Sequence, residues 1–365
     1  MDQKIEKALE KIFNMYEEME NELLKEIATH FFIEDTFENS DYWRIQKLQE
    51  LGAFNKEAIK IIAKYSNKSV KEVEKALKDI GIESVDYKTL EKAYKQGKLR
   101  VNPETLRNNK VVDKLVAQAI KTTENYLIEL SPKILEKTKQ AYLGVVERAY
   151  VNTVSGSMSY SQAIKNAIND LGNRGITTLT YLDTTGGIRN YSIEATVRRD
   201  VLTATRKMNH ELTEDVIKEL QPEKLYLSEH LFCRPEHFSW QGTIINTDEL
   251  VDITDYGSIT GLGGINCKHY FEPYFGDEDG KDLKTYSKEE CDYAYDMQQH
   301  QRYLERGIRK WKRKRQMFEK MGLNEEAEYC KDKQLEWTGR LDTYVDMFES
   351  IPMKRDFTRE QIASE

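Results

Sequence analysis

The side chains best suited to ligate a metal, or to act as nucleophile and base, crowd into two short stretches. Of 6 His and 4 Cys in the chain, three His and two Cys lie in "SEHLFCRPEHFSWQGTIIN" (228–246) and "YGSITGLGGINCKHYFEPYF" (256–275). His230, Cys233 and His237 belong to the first, Cys267 and His269 to the second, set among Pro, Trp and Gly and not along a charged helix. Zinc takes nitrogen and sulfur ligands, four of them in a structural site. His230 with His237, and Cys267 with His269, would supply two pairs from two loops, with Cys233 as a spare. Such a site would cross-link a Gly-rich module that has little core of its own. The spacing is not that of a zinc finger, because C-x-H is shorter than the usual C-x2-C knuckle, although a strand sets residues i and i+2 side by side.

Two other chemistries fit the same residues. They could be hydrogen-bonded loop side chains that satisfy backbone groups left over at turns, with Trp240 as packing and Cys267 as an inert buried thiol. Alternatively, Cys267 beside His269, or a metal-bound water with Glu236 as base, would make a hydrolase or nuclease centre. No G-x-S-x-G, H-E-x-x-H, P-loop or dinucleotide fingerprint accompanies it.

A second concentration is electrostatic. "QRYLERGIRKWKRKRQMFEK" places Arg302, Arg306, Arg309, Lys310, Lys312, Arg313, Lys314 and Arg315 on one helix, with Tyr303 and Trp311 among them. Such a face reads phosphates without sequence preference and with strong salt dependence. Its structural alternative is a solvated helix paired with the acidic "NEEAEYCKDKQLEWTGRLD" that follows. Upstream, Arg198 and Arg199 stand where Glu194 at i−4 could be satisfied.

Positioning these groups falls to three kinds of element. The N-terminal third reads as successive helices: Ile5, Leu9, Ile12, Tyr16, Met19, Leu23 and Ile27 step by three or four into one apolar stripe. "NSDYWRIQKLQELGAF" has Asn39 or Ser40 as N-cap and Gly52 as its stop, "NKSVKEVEKALKDIG" opens on Ser69 and Glu72 in capping-box spacing and stops at Gly81, and Pro132 punctuates the helices after that. From about residue 155 the texture changes. Most glycines fall here, "ITTLTYL", "DTTGG" and "IRNYS" read as a hairpin, and "EKLYLSEH", "WQGTIIN" and "HYFEPYF" read as short strands. The intervening "IEATVRRDVLTATRKMNHELTEDVIKEL" is helical with a break near Asn209. The last 75 residues return to helix. There Leu304, Ile308, Trp311, Arg315 and Phe318 share a face, Gly322 is a stop, and Cys330, Trp337 and Tyr344 repeat at sevens beside Leu341 and Phe348, which reads as an antiparallel helical hairpin.

The whole-chain numbers agree with that texture. At 365 residues, 39% hydrophobic and 32% charged, with mean hydropathy −0.72, the chain is long enough for two or three domains and is rich in polar surface. No segment approaches the roughly 18–20 apolar residues of a membrane span. The acidic, amphipathic start is neither a secretory signal nor a transit peptide. Four cysteines do not make a disulfide scaffold, so a reducing compartment is expected. A net charge of −8 draws the molecule to neither nucleic acid nor an anionic membrane, leaving only local patches for such contacts.

Together "HLFCRPEHFSWQGTI", "YGSITGLGGINCKHYFEPYFG" and "QQHQRYLERGIRKWKRK" resemble the phage minor capsid protein 2 family, which is related to head-morphogenesis proteins of the phage Mu type. The upstream "QAIKNAINDLGNRGITTLTYLDTTGGIRNYSIEATVRRDVLTATRKMN" is similar to that family's middle region, so the resemblance covers roughly residues 130–345, the first 130 matching only in being helical. The pattern carries onto His230, Arg234, Pro235, His237, Trp240, Gln241, Gly242, Tyr256, Gly257, Gly261, Leu262, Gly264, Asn266, Cys267 and His269. By that resemblance Cys233 is incidental, and His230, His237, Cys267 and His269 are the ligands of a structural zinc with Trp240 beneath them. The resemblance also implies a non-enzymatic virion protein, of a phage or a prophage, in the capsid interior or at the portal vertex. Its partners would be portal and capsid proteins in a multi-copy assembly, with double-stranded DNA reached through the 302–315 helix.

The expected fold is a predominantly helical α+β protein. It would comprise an N-terminal helical region (1–130), an α+β head-morphogenesis-like module with short strands and long Gly-rich loops (131–285), and a C-terminal antiparallel helical hairpin (286–365). The competing expectation for function is a metal-dependent hydrolase or nuclease carried with the virion.

Overall fold

A computed structural model describes residues 2–33, 39–83, 87–100, 102–104, 110–182, 188–276, 283 and 285–347. Among these the helices are α1 (Asp2–Thr29), α2 (Ser40–Glu83), α3 (Tyr87–Lys95), α4 (Lys110–Val154), α5 (Tyr160–Arg174), α6 (Ile193–Leu220), α7 (Leu250–Thr254), α8 (Lys288–Lys320) and α9 (Asn324–Asp346). The strands are β1 (Thr177–Leu182), β2 (Ile188–Ser192), β3 (Lys224–Leu227), β4 (Ile244–Asn246) and β5 (Phe271–Tyr274). The protein is therefore predominantly helical α+β, with two small antiparallel sheets. No helix among the described residues is long and apolar enough to cross a membrane.

Several sequence punctuation marks lie inside helices. Asn39 caps α2 as expected, its Oδ1 accepting from the Asp41 and Tyr42 amides at 2.8 and 3.1 Å. The helix then runs through Gly52 and Ser69 and past Gly81, 44 residues without a break. Ser69 is fully buried, donates to the Ser66 carbonyl at 2.9 Å and meets the Tyr16 hydroxyl at 3.1 Å, so it serves packing in place of a helix start. Pro132 is interior to α4. The carbonyl it leaves without a donor is that of Ile128, on an exposed face where water can serve it. No break occurs at Asn209 in α6. Tertiary packing along one face outweighs a local preference of about 1 kcal/mol for ending at Gly. The Gly pair of the expected hairpin and Phe348 lie outside the described residues.

The chain gathers into two compact units, neither contiguous in sequence. One comprises Lys11–Val70, Tyr126–Arg198 and His300–Glu365. Its core takes the α1 stripe, where Ile12, Phe13, Tyr16, Met19, Leu23 and Ile27 are all fully buried, and an aromatic group in which Phe54 stacks on Tyr142 at 4.7 Å. The β1–β2 hairpin belongs to this unit, as do α8 from His300 onward and α9, whose shared core is Leu304, Ile308 and Leu341 with Trp337, Tyr344 and Val345 packed against it. Gly322 (φ 73°) ends α8 by turning left-handed, and the Leu323 amide returns to the Phe318 carbonyl at 2.9 Å.

The other unit comprises Met1–Glu10, Lys71–Asn125 and Arg199–Gln299. A three-stranded sheet in the order β4-β3-β5 lies at its centre, with Leu225, Leu227, Trp240, Ile245, Leu262, Cys267 and Phe271 as its core. Because β4 and β5 both run antiparallel to β3, the end of β3 and the starts of β4 and β5 share one edge of the sheet. The loop 228–243 leaves and re-enters at that edge, whereas the loop 247–270 leaves from the opposite edge, where Asn246 pairs with Lys224, and re-enters at the first. Leu227 pairs with Phe271, which brings the first residues of one loop against the last residues of the other.

Two predictions follow from the helical unit. A Cβ on Gly307 would stand 1.9 Å from the Trp337 ring, so the ring lies flat on the α8 backbone where only Gly fits. Gly307→Ala should cost about 1–3 kcal/mol in chemical denaturation with a change in Trp fluorescence, whereas Gly339→Ala, with open space around it, should be neutral or slightly stabilising. The second concerns Glu17, whose carboxyl burial pushes up to about 8 against the pull of Arg309. The folded state thus binds its proton more tightly than the unfolded state, so its contribution is complete below the usual carboxylate pKa and is lost as pH rises through about 8. Glu17→Gln removes that titration, and the unfolding midpoint of the variant should gain on the wild type as pH is raised from 5 to 8.

Candidate metal centre

The edge of the β4-β3-β5 sheet positions the histidines and cysteines. On leaving β3, the chain bonds Ser228 N–H to the Tyr270 carbonyl at 2.9 Å, then turns through a short 3-10 segment (Pro235–His237) that carries His237 inward. The second loop is tied to itself: Leu262 N–H donates to the Thr254 carbonyl, Ile265 N–H to Ile259 and Cys267 N–H to Gly264, each at 3.0 Å. Such tight winding needs Gly. At Gly263 (φ 75°) a Cβ would come within 2.6 Å of His210 Nδ1, and at Gly264 one would meet the Ile259 carbonyl oxygen at 2.3 Å. Asn266 takes the left-handed conformation next to Cys267 (φ 59°), as Asn tolerates. Arg234 crosses between the loops, donating to the Ile265 carbonyl.

His237, Cys267 and His269, each 2% exposed, converge with their ligand atoms all within 4.8 Å of one another. The Nδ1 atoms of His237 and His269 are 3.3 Å apart, and the Cys267 sulfur lies 3.9 Å from the first and 3.7 Å from the second. Both rings have their other nitrogen committed. His237 Nε2 faces the Thr260 carbonyl at 2.7 Å, an oxygen that can only accept. His269 Nε2 faces Gln241 Oε1 at 3.0 Å, and that oxygen also receives the His230 backbone N–H at 3.3 Å, which fixes the amide's orientation. Each Nε2 therefore carries the ring proton. Burial holds both imidazoles below their usual pKa, so both are neutral and both Nδ1 atoms present lone pairs.

Two buried lone pairs facing each other at van der Waals range repel, and the single thiol proton of Cys267 can serve only one of them. A cation between them satisfies both. The spacing suits one: two nitrogens each about 2.05 Å from a tetrahedral centre lie roughly 3.3 Å apart, and a nitrogen and a thiolate sulfur roughly 3.6 Å apart. The backbone N–H groups of Gly263 and His269 point at the Cys267 sulfur and favour the thiolate, although burial pushes the thiol's own pKa up. Carbonyl and amide oxygens behind the ligating rings are the outer partners that metal-bound histidines ordinarily have.

The other residues singled out in the sequence divide around this point. His230 is not among the converging ligands. Its ring stacks on that of His269, centroids 4.2 Å apart and planes 30° apart. Cys233 is buried on the far side of Gln241, next to Cys291, whose sulfur accepts from Gln241 Nε2 at 3.4 Å. All four cysteines are free. Trp240 packs against both ligand rings, 4.8 Å from His237 and 4.7 Å from His269. Glu236 is exposed within the 3-10 turn. Gly242 (φ 63°) returns the first loop to the sheet through its amide bond to the Leu227 carbonyl at 3.0 Å, and Gly257 (φ 89°) turns the second. Tyr256 donates to Glu214 at 2.7 Å and packs against Phe271. One supporting residue escaped the sequence: His210 of α6 is buried, holds the His269 carbonyl at 3.3 Å, and abuts Gly263. No spacing links His210 to the loops, because it reaches them only across the fold.

The basic run on α8 is mostly committed within its own unit. Arg309 lies 3.8 Å from both Glu17 and Glu194, Arg313 lies 3.7 Å from Glu20, and Arg315 pairs with Glu319 at 2.7 Å. Lys314 is buried, 4.2 Å from the centre of the Trp311 ring, with its pKa pushed down to about 8 by burial. Lys310 lies over Trp311 and Trp337 at 5.0 and 5.4 Å. Arg306 is exposed, whereas Arg302 and Lys312 are half-buried. The carboxylates that face Arg309 and Arg313 come from α1 and α6, not from the acidic α9 that follows in sequence. Arg198 takes the pairing the sequence suggested, donating to Glu194 at 2.5 Å, while Arg199 pairs with Asp200.

The family model described as phage minor capsid protein 2 matches residues 1–346, and the chain belongs to that family. The match takes in the N-terminal helices, which sequence reading left outside the resemblance. The chain is 27% identical over 304 residues to a "Structural protein" of Lactococcus phage LL-H, covering 79% of this chain and 80% of that one. It is 31% identical over 109 residues to a "Structural protein" of Lactococcus phage mv4, covering 30% of this chain and 87% of that one. No solved structure matches significantly. The role of the chain is that of a phage structural protein, which assembles with other virion proteins.

Gly263→Ala combines a left-handed backbone with a clash at 2.6 Å, whereas Gly257→Ala has the backbone cost alone. Thermal unfolding should show the first variant lowered by about 1–3 kcal/mol more than the second.

Proposed function

We propose that this chain is a minor component of the phage head at the portal vertex or inner capsid face, and that it acts as a non-enzymatic scaffold during assembly. In this account its sheet module is cross-linked by one zinc ion held by His237, Cys267 and His269. Family membership supports the head location. The zinc assignment is carried by one observation, the 3.3 Å approach of two Nδ1 atoms whose rings each donate through Nε2. Mixed imidazole and thiolate donors at this spacing favour zinc over the oxygen-seeking magnesium and calcium. When bound, the ion would tie the β3–β4 loop to the strand entry of β5, supplying cohesion that a seven-residue apolar cluster supplies only in part.

The scaffold account is favoured over hydrolysis because the three candidate ligands are buried and Glu236, the carboxylate the sequence offers as a base, is exposed. Contact with packaged DNA would rest first on the exposed Arg306, since Arg309 and Arg313 face carboxylates of α1 and α6 and Lys314 is itself buried. Full-length protein purified without chelator should contain one zinc per chain by elemental mass spectrometry. Chelation should lower its unfolding midpoint by several degrees, and His269→Ala should abolish uptake without creating or removing nuclease activity. The chain should co-purify with the portal protein of its particle. Zinc below a tenth of the chain concentration after zinc-supplemented expression would refute the metal assignment, and release of the chain from portal-containing complexes would refute the location.

A further inference from the structure

We propose that Cys233 and Cys291 are a disulfide-forming pair, thiols while the chain folds in a reducing cell and joined once the particle stands in an oxidising medium. The two stretches that carry them are tied together. Glu229, at the start of the β3–β4 loop, accepts from the Thr285 N–H at 2.8 Å, the Thr285 hydroxyl at 2.7 Å and the Tyr286 N–H at 3.2 Å, just ahead of α8. A capping box then starts α8: the Ser287 hydroxyl accepts from the Glu290 N–H at 3.1 Å, and the Glu290 carboxylate from the Ser287 N–H at 2.7 Å. Cys291 is thereby fixed in the first turn, its N–H on the Ser287 carbonyl at 3.1 Å. Cys233 sits in a turn held on both sides, by the His230 N–H on Gln241 Oε1 and by Arg234 on the Ile265 carbonyl. Both side chains are 1% exposed, and they meet. The Cys233 thiol bonds to the Cys291 sulfur, and the Gln241 amide nitrogen donates to both sulfurs, at 3.4 Å in the case of Cys291.

The other two thiols are placed differently. Cys267 faces His237 and His269, and Cys330 belongs to the other unit. A phage structural protein meets both redox settings, because the cytosol keeps thiols reduced and a released particle does not stay there. The oxidant is a low-molecular-weight disulfide of the glutathione class. Cys291 is the favoured thiolate of the pair, since Cys233 and Gln241 both donate to it. It loses its proton and attacks one sulfur of the small disulfide, forming a mixed disulfide and expelling one small thiolate. Cys233 then loses its proton and attacks the Cys291 sulfur, which breaks the mixed disulfide and expels the second. Two protein thiols are oxidised, the small disulfide takes up their two electrons, and the two protons leave on two small thiols. Burial pushes both protein thiols up, Cys233 to about 12, so attack is slow and the pair stays open during folding. Once formed, the bond staples the β3–β4 loop to α8 across a long intervening chain and restricts the unfolded state.

Full-length protein purified under reductant and then held in excess oxidised glutathione, without denaturant, should give a cross-linked peptide joining Cys233 to Cys291. Mass spectrometry of the acid-quenched, alkylated and unreduced digest reads this directly, with Cys330 carrying the alkyl label. The oxidised protein should unfold several degrees above the reduced one, and dithiothreitol should reverse the gain. Cys291→Ser should lose the gain, and Cys330→Ala should keep it. Alkylation of both Cys233 and Cys291, glutathione adducts without a cross-link, or a link from Cys233 to Cys267 would each overturn the proposal. So would a cross-link that appears only in denaturant. The peptide map is made on the wild type, so it decides the matter even where a variant fails to fold.

Discussion

Two neutral imidazoles whose lone pairs face each other across 3.3 Å organise the sheet module. The arrangement is imposed from behind: the Thr260 carbonyl and the Gln241 amide oxygen can only accept, so each ring must turn its bare nitrogen toward the other. Those two acceptors are in turn placed by loops that close on themselves through backbone bonds and glycine turns. The side chains so constrained are the His–Cys–His group that could hold a metal ion. The sulfur of Cys267, with two amides aimed at it, completes the donor set.

Gln241 links the parts of this module that sequence distance separates. Fully buried, it uses its oxygen for the β3–β4 loop and the His269 ring and its nitrogen for Cys291 at the start of α8. The same logic of buried polar groups held by fixed partners governs the helical unit. There Glu17, Glu20 and Glu194 are sunk among helices and answered by Arg309 and Arg313. Burial costs such charges heavily, and the raised carboxyl pKa values of Glu17 and Glu20 record the part that the arginines do not recover. A run of positive charge that reads as a phosphate-binding face is thus in large part an internal counter-charge. That accords with a structural protein whose overall charge is negative.

Much of this was legible in the residues alone. Helical content, the three short strands and the C-terminal hairpin follow from periodicity, which depends only on near neighbours. The clustering of His and Cys marked the loops, and the motif R-P-x-H-x-x-W-Q-G with N-C-x-H marked the family. Helix ends were misjudged at Gly52, Gly81 and Pro132, where a local preference of about 1 kcal/mol yields to the burial of a long apolar face.

What the sequence determined by itself, then, was the inventory: which donors exist, on which kind of element, and in which family of proteins. Tertiary structure alone decided how they are used, because antiparallel pairing of β4 and β5 on either side of β3 brings residues 237 and 269 to one point. It also decided that His230 lies flat on a ligand ring, that His210 braces the loop from α6, and that arginines of α8 meet carboxylates nearly 300 positions earlier. Spacing along a chain carries no record of such meetings; they are set by the packing of elements, each of which is determined by its neighbours in space.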